Sequence, residues 1–146
     1  MVNIRRMEKQ DLEYVAEIEK EIFSVPWSRK AFSDSLNSSN TEYIVAEKNG
    51  VIAGYCGIYI SFEEGNITNV AVAPEFRRQN MATLMLEHIL KLAAERAVTD
   101  VILEVRETNV PAIKLYEQLG FEKDGIRKNF YEKPVENALI MWKHNL

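Results

Sequence analysis

The stretch VAVAPEFRRQNMATLML, residues 70–86, joins the end of an apolar strand to a turn with two arginines and the start of a helix. We predict the strand over 67–73, ended by Pro74, and the helix over 78–96, where apolar side chains recur at helical spacing. A helix start exposes unpaired N–H groups and the positive end of the dipole, which favours phosphate. Arg77 and Arg78 add positive charge. Taken alone, the stretch indicates an anion site, and a solvated basic turn is the alternative.

A further apolar strand at 101–105 completes a strand–helix–strand unit, which implies two parallel neighbouring strands. Asn49-Gly50 predicts a tight hairpin, and Ser28 is a suitable helix cap. We therefore predict a mixed α/β (α+β) fold, with a mostly antiparallel sheet of six to seven strands, one parallel pair and about four helices. The remaining predicted elements are strands at 2–6, 43–47, 51–61, 121–131 and 137–144, with a turn at 63–65, and helices at 10–23, 29–36 and 109–119.

Composition narrows the class of protein. A chain of 146 residues suits one compact domain over 1–146, and a net charge of −4 argues against a direct nucleic-acid binder. The only cysteine, Cys56, excludes an intramolecular disulfide and favours the cytoplasm. Two histidines and one cysteine, far apart, predict no metal site. No apolar run predicts a membrane span, and the first residues lack the apolar core of a signal peptide.

Four segments together resemble the GNAT acetyltransferase superfamily. The loop RRQNMA at 77–82 is similar to its coenzyme A loop, which has Arg or Gln, two residues, Gly, one residue, then Gly or Ala. More specifically, three other segments look like the RimI branch, the ribosomal-protein alanine N-acetyltransferases, and the resemblance covers essentially the whole chain. These segments are EIFSVPWSRKAF at 21–32, LEVRETNVPAIKLYEQLGF at 103–121 and IRKNFYEKPVENALIM at 126–141.

The resemblance implies a GNAT fold with acetyl-CoA as co-substrate and no metal. It assigns coenzyme A to the backbone of Val70, Ala71 and Val72, the loop residues Arg77, Arg78, Gln79, Asn80, Met81 and Ala82, and the side chain of Asn109. The amide of Val72 would polarise the thioester carbonyl. Asn80 stands where the family has glycine, although asparagine also tolerates positive φ. For Asn109, a helix N-cap is the alternative role, and both roles are compatible.

The resemblance also implies the chemistry, in which the amine attacks the thioester directly within a ternary complex. Glu104 matches the general base, acting through water, and Tyr116 matches the general acid that protonates the leaving thiolate. The structural alternatives are an ion pair of Glu104 with Arg106 or another neighbour, and a core tyrosine at 116. An acyl-cysteine at Cys56 is rejected, because no histidine motif accompanies it.

The acceptor implied by the resemblance is a protein N-terminus, namely the N-terminal alanine of a small-subunit ribosomal protein. Pro26, Trp27 and Tyr131 are candidate walls of the peptide groove, with core packing of the aromatic rings as the alternative. Asn137 replaces an acidic residue common in this branch, which bears on acceptor preference. Two other functions stay open: acetylation of a lysine, polyamine or other small amine, and a non-catalytic acyl-CoA-binding module.

Overall fold

The computed structural model describes every residue from Met1 to Leu146. It contains seven strands and four α-helices, in the order that the sequence predicts, with short 3₁₀ turns at Lys9–Asp11 and Pro74–Phe76. The strands are β1 (Val2–Arg6), β2 (Thr41–Lys48), β3 (Val51–Ser61), β4 (Glu64–Val72), β5 (Asp100–Arg106), β6 (Glu122–Tyr131) and β7 (Glu136–Lys143). The helices are α1 (Leu12–Ile22), α2 (Arg29–Leu36), α3 (Met81–Glu95) and α4 (Val110–Gln118).

All seven strands form one sheet in the order β1-β2-β3-β4-β5-β7-β6. Only β4 and β5 are parallel, which confirms the predicted mixed sheet with one parallel pair. This parallel pairing is short, because it joins residues 64–66 of β4 to residues 100–102 of β5. Beyond it the two strands part, while β5 stays paired with β7 through Arg106. The sheet is therefore split into two halves at one end.

Helices cover both faces of the sheet. The larger core cluster holds buried side chains of α3 and α4, whereas the smaller one holds those of α1 and α2. On β5, Val101, Leu103 and Val105 belong to the larger cluster. Because successive strand residues point to opposite faces, Glu104 and Arg106 point to the face of α1 and α2. None of the helices has the length and apolar character that crossing a membrane requires.

The start of α3 differs from the prediction of residue 78. Arg78 and Asn80 have φ of 63° and 65°, in the left-handed region, so the helix begins only at Met81. Its buried face also lies slightly off the stripe that the sequence predicts, which consists of Met81, Leu84, Met85, His88, Ile89 and Leu92. Leu84 is exposed, whereas Leu86 is fully buried. The basic turn is thus an irregular loop that leads into the helix rather than its first turn.

The turn after β3 is also earlier than predicted. Ser61 pairs with Glu64, and Phe62 takes a positive φ of 55°, so the turn lies at 62–63 rather than at 63–65. Gly65 is instead a buried strand residue. A Cβ atom there would lie 2.6 Å from Cδ1 of Ile58, so glycine is needed for packing and not for turning.

Candidate active site

A cavity of about 550 Å³ opens where β4 and β5 part. Residues 67–70 of β4 and 103–106 of β5 line it, as do parts of the segment between α1 and α2. Tyr116 of α4 and the connection between β6 and β7 complete the wall. Since Tyr116 packs with the α3–α4 cluster and Trp27 with the α1–α2 cluster, the walls come from both faces of the sheet. Two ligands can therefore reach the gap from opposite sides.

The edge of β4 that faces this gap is unpaired from Ile67 onwards. On the other edge, Val70, Ala71 and Val72 pair with β3. No strand pairs with them on the β5 side, because the parallel ladder ends at Asn66. Free N–H and C=O groups on a strand edge can bind an extended ligand as an added strand does. The backbone of 70–72 therefore has an open strand edge, and its contact with pantetheine stays a prediction.

Glu104 lies in the middle of β5, with its side chain 14% exposed, and lines the cavity. Its Oε1 lies 3.6 Å from Nε of Arg127 on β6. Of the predicted alternative partners, Arg106 pairs with Glu136 at 3.1 Å, so the ion pair of Glu104 is made with another neighbour, Arg127. At 3.6 Å this contact is an ion pair rather than a hydrogen bond, and neither carboxylate oxygen of Glu104 has a hydrogen-bond partner within the protein. This carboxylate can thus accept a proton from a group or a water molecule in the cavity.

Tyr116 is 8% exposed and packs edge-on against Phe121, with ring centroids 5.9 Å apart. Its hydroxyl makes no hydrogen bond within the protein. Every fully enclosed side-chain nitrogen or oxygen in the structure has a partner, so this hydroxyl must open onto the cavity that Tyr116 lines. Burial raises the pKa of the Tyr116 hydroxyl, which keeps it protonated at neutral pH. The side chain is a core tyrosine with a free proton donor at its tip.

The loop before α3 carries four of the predicted coenzyme A residues on its exposed surface, namely Arg77, Arg78, Gln79 and Asn80. Arg77 donates from Nε to the carbonyl of Val72 at 3.3 Å, while Arg78 has no side-chain partner. The side-chain oxygen of Gln79 accepts a hydrogen bond from the ammonium group of Lys48. Lys48 therefore adds a third cation to this surface, which the sequence did not indicate because it lies on β2.

The first turn of α3 is left without a side-chain cap, since Asn80 forms no capping hydrogen bond. The side chain of Met81 is buried in the core, so only its backbone is available to a ligand. Ala82 follows on the same turn and is half-buried. Uncapped amides beside Arg77 and Arg78 are suited to an anion such as a pyrophosphate.

Replacing Asn80 by glycine is expected to leave coenzyme A affinity equal or improved. The left-handed conformation of Asn80, with φ of 65°, is free of strain for glycine, and glycine also removes a side chain beside the loop amides. Isothermal titration of the Asn80→Gly variant with coenzyme A measures this. A large loss of affinity would contradict the role assigned to the loop.

Asn109 caps α4, as the alternative interpretation predicts. Its Oδ1 accepts a hydrogen bond from the N–H of Ala112 at 3.3 Å. The side-chain NH₂ group has no partner, and Asn109 lines the cavity. The cap therefore leaves a donor available for the predicted contact with coenzyme A.

Trp27 lines the cavity and packs against Phe32 of α2, with ring centroids 5.3 Å apart. Its ring thus packs on the α1–α2 core and also borders the cavity, and its role as a wall of a peptide groove stays a prediction. Pro26 is exposed and does not line the cavity, although its neighbour Val25 does. The structure therefore brings Trp27, but not Pro26, to the predicted groove.

Tyr131 forms the opposite wall, at the end of β6. The guanidinium group of Arg106 lies over its ring at 4.5 Å and pairs with Glu136. Burial raises the pKa of Tyr131 to about 12. Asn137 accepts a hydrogen bond from the N–H of Asn129. The acidic side chains at this wall are Glu132 and Glu136.

Comparison with known proteins assigns the chain to a family. The model of the acetyltransferase (GNAT) family matches residues 12–121. A Bacillus subtilis (strain 168) protein, provisionally named a ribosomal protein bS18-alanine N-acetyltransferase, is 40% identical over 140 residues, which cover 95% of this chain and 93% of that protein. The chain belongs to the GNAT acetyltransferase family.

Two further similarities concern Escherichia coli. The bS18-alanine N-acetyltransferase of strain K12 is 34% identical over 143 residues, covering 97% of this chain and 96% of that protein. The crystal structure of the E. coli ribosomal-protein-S18-alanine N-acetyltransferase superposes with a TM-score of 0.92 and 33% identity, covering 99% of this chain and 94% of that one. The predicted GNAT fold is thereby confirmed.

In this GNAT protein, Glu19 is a cavity residue that sequence reasoning missed. It is 3% exposed and accepts hydrogen bonds from the hydroxyl of Tyr55 and, at 3.0 Å, from the N–H of Trp27. It thereby ties the segment after α1 to the sheet. The sequence holds a signal for it, since Glu19 falls between Val15 and Ile22 on the apolar stripe of α1. A carboxylate at such a position needs hydrogen-bond partners.

Glu19 should make stability depend on pH. Burial raises its pKa above the usual 4.5, so the native state binds this proton more tightly than the unfolded chain. The stabilisation that comes from protonated Glu19 is complete below the pKa that Glu19 has in the unfolded chain. It is lost as pH rises through the higher pKa that Glu19 has in the native state. Glutamine does not titrate, so the free energy of unfolding of Glu19→Gln should rise relative to that of the wild type as pH increases from about 4 to 7. Urea titrations of both proteins at several pH values measure this difference. A difference that stays constant with pH would contradict this, and Glu21→Gln, at an exposed position of the same helix, serves as the control.

Cys56 is fully buried in the GNAT core on β3 and does not line the cavity. Burial raises the pKa of its thiol, so the thiolate needed for nucleophilic attack does not form at neutral pH. A covalent acyl-cysteine route has no structural basis here.

The structure contains no group of three or more His, Cys, Asp or Glu side chains that could hold a metal ion.

Proposed function

We propose that this protein transfers the acetyl group of acetyl-CoA to the N-terminal α-amino group of ribosomal protein bS18, at its N-terminal alanine, in the cytoplasm. The observation that carries the proposal is that Glu104 and Tyr116 reach one cavity from opposite faces of the sheet. Full-length similarity to bS18-alanine N-acetyltransferases supports the choice of acceptor. A protein that only binds acyl-CoA would need neither the proton acceptor Glu104 nor the proton donor Tyr116 in this cavity.

Acetyl-CoA fits as co-substrate on the side of α3 and α4. The unpaired edge of residues 70–72 would bind pantetheine, and the loop 77–82 would bind the pyrophosphate through uncapped amides and arginines. Asn109 would contribute its free NH₂ group. The thioester supplies an activated acetyl group, and an N–H of the β4 edge, at Val72, would polarise its carbonyl.

The acceptor amine would enter from the side of α1 and α2. It must lose a proton before it attacks the thioester carbonyl, and its free pKa of about 8 means that a weak base suffices. Glu104 accepts this proton through a water molecule, because its carboxylate is set back on a strand and held by Arg127. Tyr116 then donates its proton to the leaving thiolate from the other side of the gap. Proton removal and proton delivery are thus spatially separated.

The acceptor side of the cavity suits a peptide N-terminus. Trp27 and Tyr131 provide apolar walls. The carboxylates of Glu104 and Glu132 outnumber Lys133, the one cation of the lining apart from Arg106, and this excess of negative charge favours a cationic amine. Arg106, which also lies there, is neutralised by Glu136. This combination favours a positively charged end of a chain over a neutral ligand.

The test is an acceptor panel. The protein is mixed with acetyl-CoA and, separately, with an Ala-starting peptide, an N-terminally blocked lysine peptide and spermidine, and thiol release is followed. Release with the Ala-starting peptide alone supports the proposal. Release mainly with the lysine peptide or spermidine would replace it by the small-amine function, and binding of coenzyme A without release would indicate a non-catalytic module.

A further inference from the structure

Asn69 on β4 is a buried polar residue that the proposed mechanism does not use. It is 7% exposed and lines the cavity. A β-bulge opposite Gly57 and Ile58 sets its direction. Because of this bulge, Ile67 packs with the α3–α4 cluster whereas Ala71 packs with the α1–α2 cluster. Asn69, two residues before Ala71, therefore points to the acceptor side of the sheet.

A tyrosine two strands away holds this side chain in place. Tyr43 on β2 pairs with Gly57 on β3, which in turn pairs with Asn69. A Cβ atom at Gly57 would lie 2.2 Å from the Tyr43 ring, so the ring crosses β3 directly over this glycine. Its hydroxyl donates to Oδ1 of Asn69 at 3.0 Å and lies 3.2 Å from Oγ1 of Thr68. The amide orientation is thus fixed by an arrangement that spans three strands.

With Oδ1 engaged, the NH₂ group of Asn69 is left as a donor without a protein partner. Every fully enclosed side-chain nitrogen in the structure has a hydrogen bond, so this one opens onto the cavity. A buried donor that faces a cavity is favourable only if a ligand or water accepts from it. The group carries no net charge, and its N–H hydrogens favour an oxygen acceptor over an ammonium group.

Resting on the proposed function, we infer that the Asn69 amide binds the first backbone carbonyl of the acceptor peptide. An ammonium group cannot accept a hydrogen bond, so the partner must be an oxygen close to the attacking amine. In a peptide N-terminus the first carbonyl is separated from that amine by a single carbon. In a lysine side chain or a polyamine no carbonyl lies so close. Asn69 would therefore select α-amino groups over side-chain and polyamine amines.

The test compares Asn69→Ala with the wild type on two acceptors. One is an Ala-starting peptide, and the other is the same peptide with its first amide replaced by a methylene ether, which lacks the carbonyl. We expect the variant to raise KM for the peptide about fivefold to tenfold, with kcat and the Kd of acetyl-CoA unchanged. For the ether analogue, the wild type and the variant should have equal kcat/KM. Tyr43→Phe, which frees the amide, should raise the peptide KM in the same direction.

Other outcomes overturn the inference. An unchanged peptide KM in Asn69→Ala, or an equal loss with the ether analogue, would exclude a bond to the first carbonyl. A fall in kcat with both acceptors would place the amide on the thioester carbonyl instead. An unchanged Kd for acetyl-CoA shows that the variant is folded. If the wild type acetylates neither acceptor, the proposed function itself fails, which is a distinct result.

Discussion

Replacing Tyr116 by phenylalanine is expected to lower kcat for acetyl transfer by about 10²-fold to 10³-fold, with little change in the Kd of acetyl-CoA. The change removes one oxygen that has no hydrogen-bond partner within the protein and opens onto the cavity. Ring packing against Phe121 is unaffected. Without the hydroxyl, the thiolate must leave unprotonated or take its proton from water. Steady-state rates at saturating acetyl-CoA and peptide measure kcat, and calorimetric titration measures the Kd.

The matched control is Tyr131→Phe, which removes the same oxygen from another wall of the cavity. It is expected to change mainly the KM of the peptide. A merely structural role for Tyr116 predicts no loss of kcat in Tyr116→Phe, since the core would be filled equally well. Equal kcat in Tyr116→Phe and the wild type would therefore refute its assignment as the acid.

The second large effect is expected for Glu104→Gln, which should lower the rate of acetyl transfer to an Ala-starting peptide at pH 7 by about 10²-fold or more. Glutamine keeps the size of the side chain but cannot accept the amine proton. The loss should shrink as pH rises above about 8, because a growing share of the acceptor amine is then already deprotonated. Rates for one Ala-starting peptide from about pH 6.5 to pH 9.5 measure this.

The Arg127→Gln variant distinguishes a catalytic role of Glu104 from a structural role in its ion pair. It removes the only ion-pair partner of Glu104, at 3.6 Å, but keeps the carboxylate. Because the Arg127 side chain is 52% exposed, its loss should change the free energy of unfolding by at most about 1 kcal/mol. Its rate should stay within about tenfold of the wild type. Equal losses in Arg127→Gln and Glu104→Gln would mean that Glu104 serves only the ion pair.

Local patterns were sufficient to predict most of the fold. Asn49 and Gly50 take the positive φ values, 53° and 79°, that the predicted hairpin requires. Ser28 accepts from the N–H of Ala31 at 3.1 Å, and α2 begins at the next residue. Such features depend on a few neighbouring residues, so the sequence alone reveals them. The start of α3 was predicted too early, because two consecutive basic residues do not indicate that Arg78 adopts a left-handed conformation.

The candidate site was less accessible to sequence reasoning. The parting of β4 and β5 has no local signature, since both strands remain extended through the gap. The direction of Asn69 depends on a bulge that shifts strand alternation by one residue. Glu19 could have been found from its place on the apolar stripe of α1. The roles of Glu104 and Tyr116 came from family resemblance, because one strand glutamate and one helix tyrosine are unremarkable by themselves.

The most direct test of the central claim is mass spectrometry of bS18 after incubation with this protein and acetyl-CoA. The bS18 is prepared with an unmodified N-terminal alanine and digested after the reaction. We predict that the N-terminal fragment gains one acetyl group on its α-amino nitrogen with the wild type, and much more slowly with Tyr116→Phe. An unmodified N-terminal fragment, or acetyl groups found only on lysine side chains, would contradict the proposed function.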